Sequence, residues 1–419
     1  MVQYYSYLKP RFKNIEKNFQ WLDFLQKGIP VMMGLFVFLN PFPHITAIKE
    51  FVFYPTVFAA IVLFFFKKIE LSFKTPLTLP FALFVFWAFL NLFFALDKAN
   101  SIHDFFAHLL KYLLFYYVLI NYFSSPKRLL VLSWIVIVSS TIFSAATLTF
   151  FYVILKNPLS TRFGITFTDS ATNIIGFTTV FALILSLQHF YSEKTSYLKV
   201  ISLFCFLLLY VASVLTQARG TLIALILSLF VLLAKNKKAL LCFSGPVLLY
   251  ILISPVKDRF ANYDFYHVRL GLFYYSVEII KSYPIIGSGF SIDTYRDTRW
   301  FDPKEYMARI PEKYRTQPHG FYWSHNMLLD IGVRVGLVGL ALFLYVLFVP
   351  VKMCWRLIWY AEDDFIKSWG LCMLSAFVMF CVKGLFDPVF THFVDVIFYT
   401  ILSMITILWR LNEEEPCLV

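Results

Sequence analysis

Long apolar stretches separated by short polar segments run along almost the whole chain of 419 residues. A helix needs about twenty apolar residues to cross a bilayer, and shorter stretches can cross where flanking side chains reach the interface. The pattern therefore predicts an all-α polytopic membrane protein. Its transmembrane helices, about twelve in number, are predicted over residues 28–40, 49–66, 77–96, 105–123, 129–155, 172–190, 198–215, 220–234, 239–254, 326–349, 366–383 and 393–410.

One long hydrophilic stretch, residues 255–325, interrupts this pattern. A connection of this length in a compact protein is usually functional. We therefore expect membrane helices one to nine in residues 1–254, a loop domain in 255–325, and membrane helices ten to twelve with a short cytoplasmic tail in 326–419. Together these parts form one membrane domain.

The loop itself is predicted to be partly helical. Residues 263–282 place Val268, Leu272, Tyr275 and Ile279 on one stripe, which is typical of a helix lying against the bundle. Pro284 ends that helix. A second short helix is predicted over residues 302–315, opened by Asp302 and Pro303.

Basic residues give the orientation of the chain. The first 27 residues are polar and basic and precede an apolar segment without a small-residue cleavage site, so we expect a cytoplasmic N-terminus rather than a removed signal peptide. With that start, every inner connection carries at least two basic residues, and the short outer ones mostly carry one. Both termini are then cytoplasmic and residues 255–325 are periplasmic, because long loops translocate regardless of charge.

Composition agrees with the membrane class. Hydrophobic residues make up 59% of the chain and charged residues 15%, with a mean hydropathy of +0.70, which is more apolar surface than one soluble core can bury. Much of the net charge of +12 flanks the apolar segments, so nucleic acid is not an expected partner. The six cysteines fall in predicted spans or cytoplasmic segments, which argues against disulfides and thiolate metal sites.

Two arginines at the predicted outer face are candidates for phosphate binding. Arg219 lies in Thr-Gln-Ala-Arg-Gly between two spans, and Arg269 lies near the start of the predicted loop helix. A guanidinium matches phosphate oxygens with its forked donors. The alternatives are an interfacial arginine that reaches lipid headgroups and a solvated charge on an amphipathic helix. Arg162 is a weaker candidate of the same kind.

His325 is the candidate for acid–base chemistry. Ser324 is predicted to cap the following helix, which places His325 and Asn326 in its first turn. The positive end of a helix disfavours imidazolium, so His325 would stay neutral, as a general base must. The alternative is a histidine that only hydrogen-bonds the helix end. Asp387 is a further polar residue at the same face.

Three more features complete the list of motifs. Gly332, Gly336 and Gly339 are predicted to lie on one helix face that a neighbouring helix can approach. The Pro-Ile-Ile-Gly-Ser-Gly segment from Pro284 to Gly289 lacks the preceding strand and following helix of a nucleotide-binding loop, so it predicts a turn near the membrane surface. No acidic or histidine cluster has metal-ligand spacing, so we expect metal-independent chemistry and no cofactor.

Taken in order, these motifs resemble those of the bacterial O-antigen ligase and O-antigen polymerase superfamily. They are the Arg-Gly of Arg219, the loop-helix Arg269, the Pro-x-x-Gly-x-Gly from Pro284, and the His-Asn-x-x-Leu from His325 with its trailing glycines. The resemblance covers about residues 160–340. Members of this family often carry an acidic residue where this chain has Arg334, which puts the local helix packing in question. An arginine in a membrane needs a partner, for which we expect Asp330 or substrate phosphate.

The resemblance implies transfer of a glycan from undecaprenyl diphosphate to a hydroxyl group of an acceptor, without metal or nucleotide. For a ligase the acceptor is a sugar of lipid A–core, at the periplasmic face of the inner membrane. Arg219 and Arg269 would bind the diphosphate, with Arg162, Asn326 and Asp387 as additional substrate-binding residues. His325 would orient or deprotonate the acceptor hydroxyl. Attack opposite the diphosphate would invert the anomeric centre.

Other functions stay open at this point. Polymerases of the same superfamily use the same kind of donor, although the chain length and the single large outer loop favour a ligase. An O-linked protein glycosyltransferase usually carries more C-terminal sequence. A transporter should show midmembrane charges and internal repeats, whereas Lys111 and Arg334 are the clearest such charges here and no repeat is obvious. A structural scaffold would lack convergent polar groups.

Overall fold

The computed structural model describes residues 2–66, 71–163, 172–253, 263–315 and 324–414. Within these ranges the chain forms helices and connections and no β-strand, which confirms the predicted all-α class. Each predicted span coincides with helical structure. These helices are α1 (Val2–Leu39), α2 (Thr46–Phe65), α3 (Thr78–Phe94), α4 (Lys98–Asp104) joined through π-helical turns to α5 (Lys111–Tyr122), α6 (Pro126–Leu148), α7 (Thr172–Ser192), α8 (Ser196–Leu215), α9 (Arg219–Leu233), α10 (Lys237–Ile253), α13 (Met327–Tyr360), α14 (Asp364–Gly384) and α15 (His392–Glu414).

The lengths and composition of these helices are those of a multi-pass membrane protein. Among the described residues, nine helices are long and apolar enough to cross a membrane, while α3 and α9 are shorter apolar helices. The remaining one, α10, has 17 residues and an internal proline, Pro246. The first helix is longer than the predicted span, because the basic N-terminal segment is helical from Val2 onward.

Small polar side chains join the central helices. Ser213 of α8 donates a hydrogen bond of 2.8 Å to the hydroxyl oxygen of Thr179 on α7. Ser375 of α14 donates one of 2.7 Å to the carbonyl oxygen of Ser228 on α9. Hydroxyl groups of this kind find partners across helices when lipid offers none. The helices that end at the candidate site are therefore fixed against one another by directional bonds as well as by packing.

Two helices cover the end of the bundle that the loop occupies: α11 (Tyr263–Ser282) and α12 (Pro303–Ala308). Both were predicted, but the second is shorter than the predicted 302–315: it ends at Ala308, and only a short 3-10 turn follows at Glu312–Tyr314. The α11 residues Leu272, Tyr275 and Ile279 are buried in a small core with the α12 region, whereas Val268 is 43% exposed, so the predicted stripe is right except at its first position. The Asp302 side chain caps α12 by accepting a hydrogen bond from the backbone nitrogen of Lys304.

The long helix α13 is broken at Gly336, whose φ of 71° and ψ of −177° are not helical. The Pro284–Gly289 loop fills the break. The backbone nitrogen of Ser288 donates to the carbonyl oxygen of Val333 at 2.8 Å, and that of Gly289 donates to Arg334 at 3.1 Å. A helix break inside a membrane protein is tolerated where other groups satisfy the freed backbone atoms, and this loop does so.

Helix α3 donates further hydrogen bonds to the break and to the loop that fills it. The Asn91 side chain donates to the carbonyl oxygens of Ile286 at 2.7 Å and Arg334 at 3.0 Å. The Trp87 ring nitrogen donates to Val335 at 2.9 Å. The prediction of one glycine face open to a helix therefore needs correction: the neighbour at Gly336 is a loop, which contacts it through Ile285.

Candidate functional site

The candidate residues come together at the end of the bundle where α9, α11, α13 and α14 meet. Arg219 is the first residue of α9, Arg269 lies on α11, and His325 lies two residues before α13. Asp387 follows α14 in the connection to α15. Helix termini fix the backbone at three of these positions, so the site is built mainly from the ends of rigid elements.

Two connections are joined beside Arg219. The backbone nitrogen of Phe163 donates to the carbonyl oxygen of Leu215 at 2.9 Å, and the Arg162 side chain donates to that of Thr216 at 3.1 Å. Gln217 has a left-handed φ of 48° and donates from its side chain to Ser160 at 3.1 Å. Strained backbone of this kind persists where its surroundings over-determine it, and it clusters at functional sites.

Arg269 is half-buried and points toward the connection after α14. Its guanidinium makes a long contact of 3.5 Å with the carbonyl oxygen of Phe386. Burial lowers the pKa of Arg269, the carboxylate of Asp387 raises it, and the neighbouring cation Arg219 lowers it. The loop-helix arginine and the α9 arginine are therefore close enough to interact electrostatically.

The helix after His325 begins later than predicted. Asn326, not Ser324, is the N-cap of α13: its side-chain oxygen accepts from the backbone nitrogens of Leu328 at 2.9 Å and Leu329 at 3.1 Å. Ser324 instead binds the Asn326 backbone. His325 is thus outside the first helical turn, in a left-handed conformation with φ 48°.

The pKa of His325 is lowered to about 4, first by burial and then by the cations Arg269 and Lys383. The expectation of a neutral imidazole therefore holds for the described structure. Its expected cause, membership of the first helical turn, is wrong, because desolvation and two neighbouring positive charges dominate.

Lys383 was not among the candidates from the sequence. It lies in the last turn of α14, is 1% exposed, and forms an ion pair with Asp387 four residues later. Burial raises the pKa of Asp387, while Lys383, Arg269 and Arg162 oppose that rise. In the sequence, a lysine near the end of a span resembles an ordinary interfacial residue. The one feature that could have indicated an ion pair was the i,i+4 spacing of Lys383 and Asp387.

These six side chains, which we name the charged cluster, interact electrostatically through the pairs described above: Arg162, Arg219, Arg269, His325, Lys383 and Asp387. With neutral histidine its formal charge is +3, from four cations and one carboxylate. Among the described residues no group of three His, Cys, Asp or Glu side chains could hold a metal ion. The cluster is chemically suited to a ligand with several negative charges.

Asn326 connects this cluster to the backbone. Its side-chain nitrogen donates to the carbonyl oxygen of Leu385 at 3.2 Å while its oxygen caps α13. On the opposite side, a Cβ atom on Gly220 would lie 2.7 Å from the ring of Phe386. The connection after α14 therefore contacts both α9 and the start of α13.

Residues 203–344 match a family model described as O-antigen ligase. The match includes Arg219, Arg269, His325 and Asn326, whereas Arg162, Lys383 and Asp387 lie outside it. No curated protein matches the chain.

Proposed function

Since its match to the O-antigen ligase model supports membership in the O-antigen ligase and O-antigen polymerase superfamily, we propose that this membrane protein is a glycosyltransferase of the ligase type. It moves a glycan from undecaprenyl diphosphate to a sugar hydroxyl of lipid A–core. The charged cluster is the single observation that carries the proposal. Four cations with one carboxylate at a helix-bundle end fit a lipid-linked diphosphate better than they fit a neutral glycan.

The donor diphosphate binds between Arg219 and Arg269. The reaction breaks the bond between the anomeric carbon and the diphosphate oxygen, and the electron pair stays on that oxygen. Preorganised cations stabilise this developing charge, because they need no reorganisation as the bond breaks. Lys383 adds a third charge next to Arg269, and Arg162 extends the cluster on the side of Asp387.

His325 accepts the proton of the acceptor hydroxyl as its oxygen forms a bond to the anomeric carbon. An imidazole with a pKa near 4 is neutral but weakly basic at neutral pH. A bound diphosphate counters the charges of Arg269 and Lys383, which removes two causes of the lowered pKa. The donor therefore makes His325 a stronger base when it is needed. Attack from the side opposite the diphosphate inverts the anomeric centre.

The reaction takes place at the periplasmic face of the bacterial inner membrane. This orientation rests on the distribution of basic residues, which favours a cytoplasmic N-terminus and puts residues 255–325 outside. Lipid A–core and the lipid-linked glycan are both embedded in that membrane face. The site at the bundle end, next to α11, suits two substrates that approach within the membrane plane.

A deletion strain tests the proposal and separates it from a polymerase, which would use the same site. Loss of capped lipopolysaccharide core together with accumulation of lipid-linked polymer supports a ligase. Core that carries a single repeat unit instead identifies a polymerase. Unchanged lipopolysaccharide on gels, with no lipid-linked glycan accumulating, overturns both.

A further inference from the structure

The connection of residues 385–390, which we name the bridging segment, contacts three elements of the candidate site. The carbonyl oxygen of Leu385 accepts a hydrogen bond from Asn326, and that of Phe386 contacts Arg269. Asp387 forms the ion pair with Lys383. The position of the bridging segment therefore determines the position of Asp387, the only carboxylate of the charged cluster.

Near its C-terminal end, the bridging segment is hydrogen-bonded to Arg334, which is 0% exposed. The Arg334 guanidinium donates to the carbonyl oxygen of Val389 at 3.4 Å, to that of Phe290 at 2.6 Å and to the carboxylate of Asp330 at 3.2 Å. One side chain thus connects the bridging segment, the residue that follows the Pro284–Gly289 loop, and α13 itself.

The aromatic rings beside Arg334 strengthen that connection. Its guanidinium carbon lies 4.6 Å from the centre of the Phe290 ring and 5.7 Å from that of Phe390. Phe390 has a left-handed φ of 57°, which is unfavourable for a bulky residue and must be held by its surroundings. The Phe390 ring packs on Phe84, Phe290 and Phe343, in contacts of 5.6–6.0 Å between ring centres.

We propose that Arg334 is a positioning residue, which holds the bridging segment so that Asp387 stays paired with Lys383 beside Arg269. The proposal rests on the proposed function, because it assigns Arg334 a part in the same transfer reaction. Arg334 is fully buried and contacts the bridging segment at Val389, so its effect on the site passes through that segment to Asp387. An arginine is required, since its planar fork reaches three acceptors in different directions and stacks on a ring.

Arg334→Lys separates positioning from simple charge neutralisation. Lysine keeps the charge opposite Asp330 but cannot reach the carbonyl oxygens of Phe290 and Val389 together. We expect normal abundance in the membrane and at least a tenfold fall in kcat/KM, measured with the lipid-linked glycan that accumulates in the deletion strain. Wild-type kcat/KM in Arg334→Lys would reduce Arg334 to a buried ion-pair partner and overturn the proposal.

A double-mutant cycle tests the route through Asp387. We expect Arg334→Lys to cost at least tenfold in the wild-type background and less than twofold in Asp387→Asn, because the group being positioned is already altered. If turnover of Asp387→Asn is below detection, the cycle is measured with the Kd for undecaprenyl diphosphate. Equal losses in both backgrounds, or a fully active Asp387→Asn, contradict the proposal.

A second variant covers the case in which Arg334→Lys does not accumulate. Asp330→Asn removes one anchor of Arg334 at constant shape, and we expect about a threefold loss that also disappears in Asp387→Asn. Glu50→Gln is the matched control, since Glu50 is the carboxylate of another ion pair, with the buried Lys111, and should keep wild-type activity. An Asp330→Asn loss that persists in the Asp387→Asn background overturns the proposal. Absence of transfer by the wild-type protein would instead refute the proposed function.

Discussion

The backbone nitrogen of Leu337 donates a hydrogen bond of 2.8 Å to the carbonyl oxygen of Pro284. The two residues belong to segments that the sequence shows as unrelated, a glycine-rich turn and a membrane helix. Their bond closes the break in α13, because the loop supplies an acceptor to the first residue beyond Gly336. The turn motif thus completes the hydrogen bonding of the helix that follows His325.

Gly336→Ala should disrupt this arrangement. The φ of 71° costs a residue with a Cβ atom about 1–3 kcal/mol, and the new atom would overlap the carbonyl group of Ile285. We expect a large fall in thermal stability in detergent. Gly28→Ala is the matched control, because nothing lies within 4 Å of its added Cβ atom. Equal stability of both variants would contradict the described break.

Arg219→Lys and Arg269→Lys should each lower transfer at least tenfold at normal abundance. An ammonium group keeps the charge but cannot reproduce the two parallel bonds of a guanidinium to phosphate oxygens. Transfer is measured with membranes that contain the native donor and acceptor. Arg309→Lys serves as control, since Arg309 is an exposed loop arginine paired with Glu305. Full activity in both cluster variants would favour lipid-headgroup contacts instead.

His325→Ala should slow the transfer step by about two to four orders of magnitude, the usual contribution of general-base assistance. Binding of undecaprenyl diphosphate should persist, because the arginines are unchanged. His103→Ala is the control, as His103 has a largely exposed side chain beside Asp104. Substantial glycan transfer by purified His325→Ala would refute the base assignment.

Acid should destabilise the ligand-free protein through His325. Its folded-state pKa of about 4 lies below the ordinary value of 6.5, so the unfolded chain binds the proton more tightly. The stabilising contribution is complete above about pH 6.5 and is lost as the pH falls toward 4. The Tm of the wild-type protein in detergent should decrease over this window more than that of His325→Gln. Parallel Tm curves would show that the imidazole is not shielded as described.

The sequence predicted the spans well because hydropathy is a local property that lipid selects directly. It also predicted Arg219, Arg269 and His325 as candidates, since their motifs are local too. The predicted N-cap of α13 was wrong. Serine and asparagine are both favourable at this position, and the tertiary structure determines whether Ser324 or Asn326 caps the helix. Lys383 and the break at Gly336 depend on contacts with distant segments, which no local pattern encodes.

Arg219 is the first residue of a short helix, and the length of that helix has a consequence for the surrounding lipid. Helix α9 contains 15 residues and is about 22 Å long, at about 1.5 Å per residue, whereas the hydrocarbon layer is about 30 Å thick. A helix shorter than the hydrocarbon layer is accommodated by local thinning of the bilayer or by a deeper position of its end, which for α9 is Arg219. Under the proposed function, the thickness of the bilayer around α9 therefore influences the depth at which Arg219 meets the donor diphosphate.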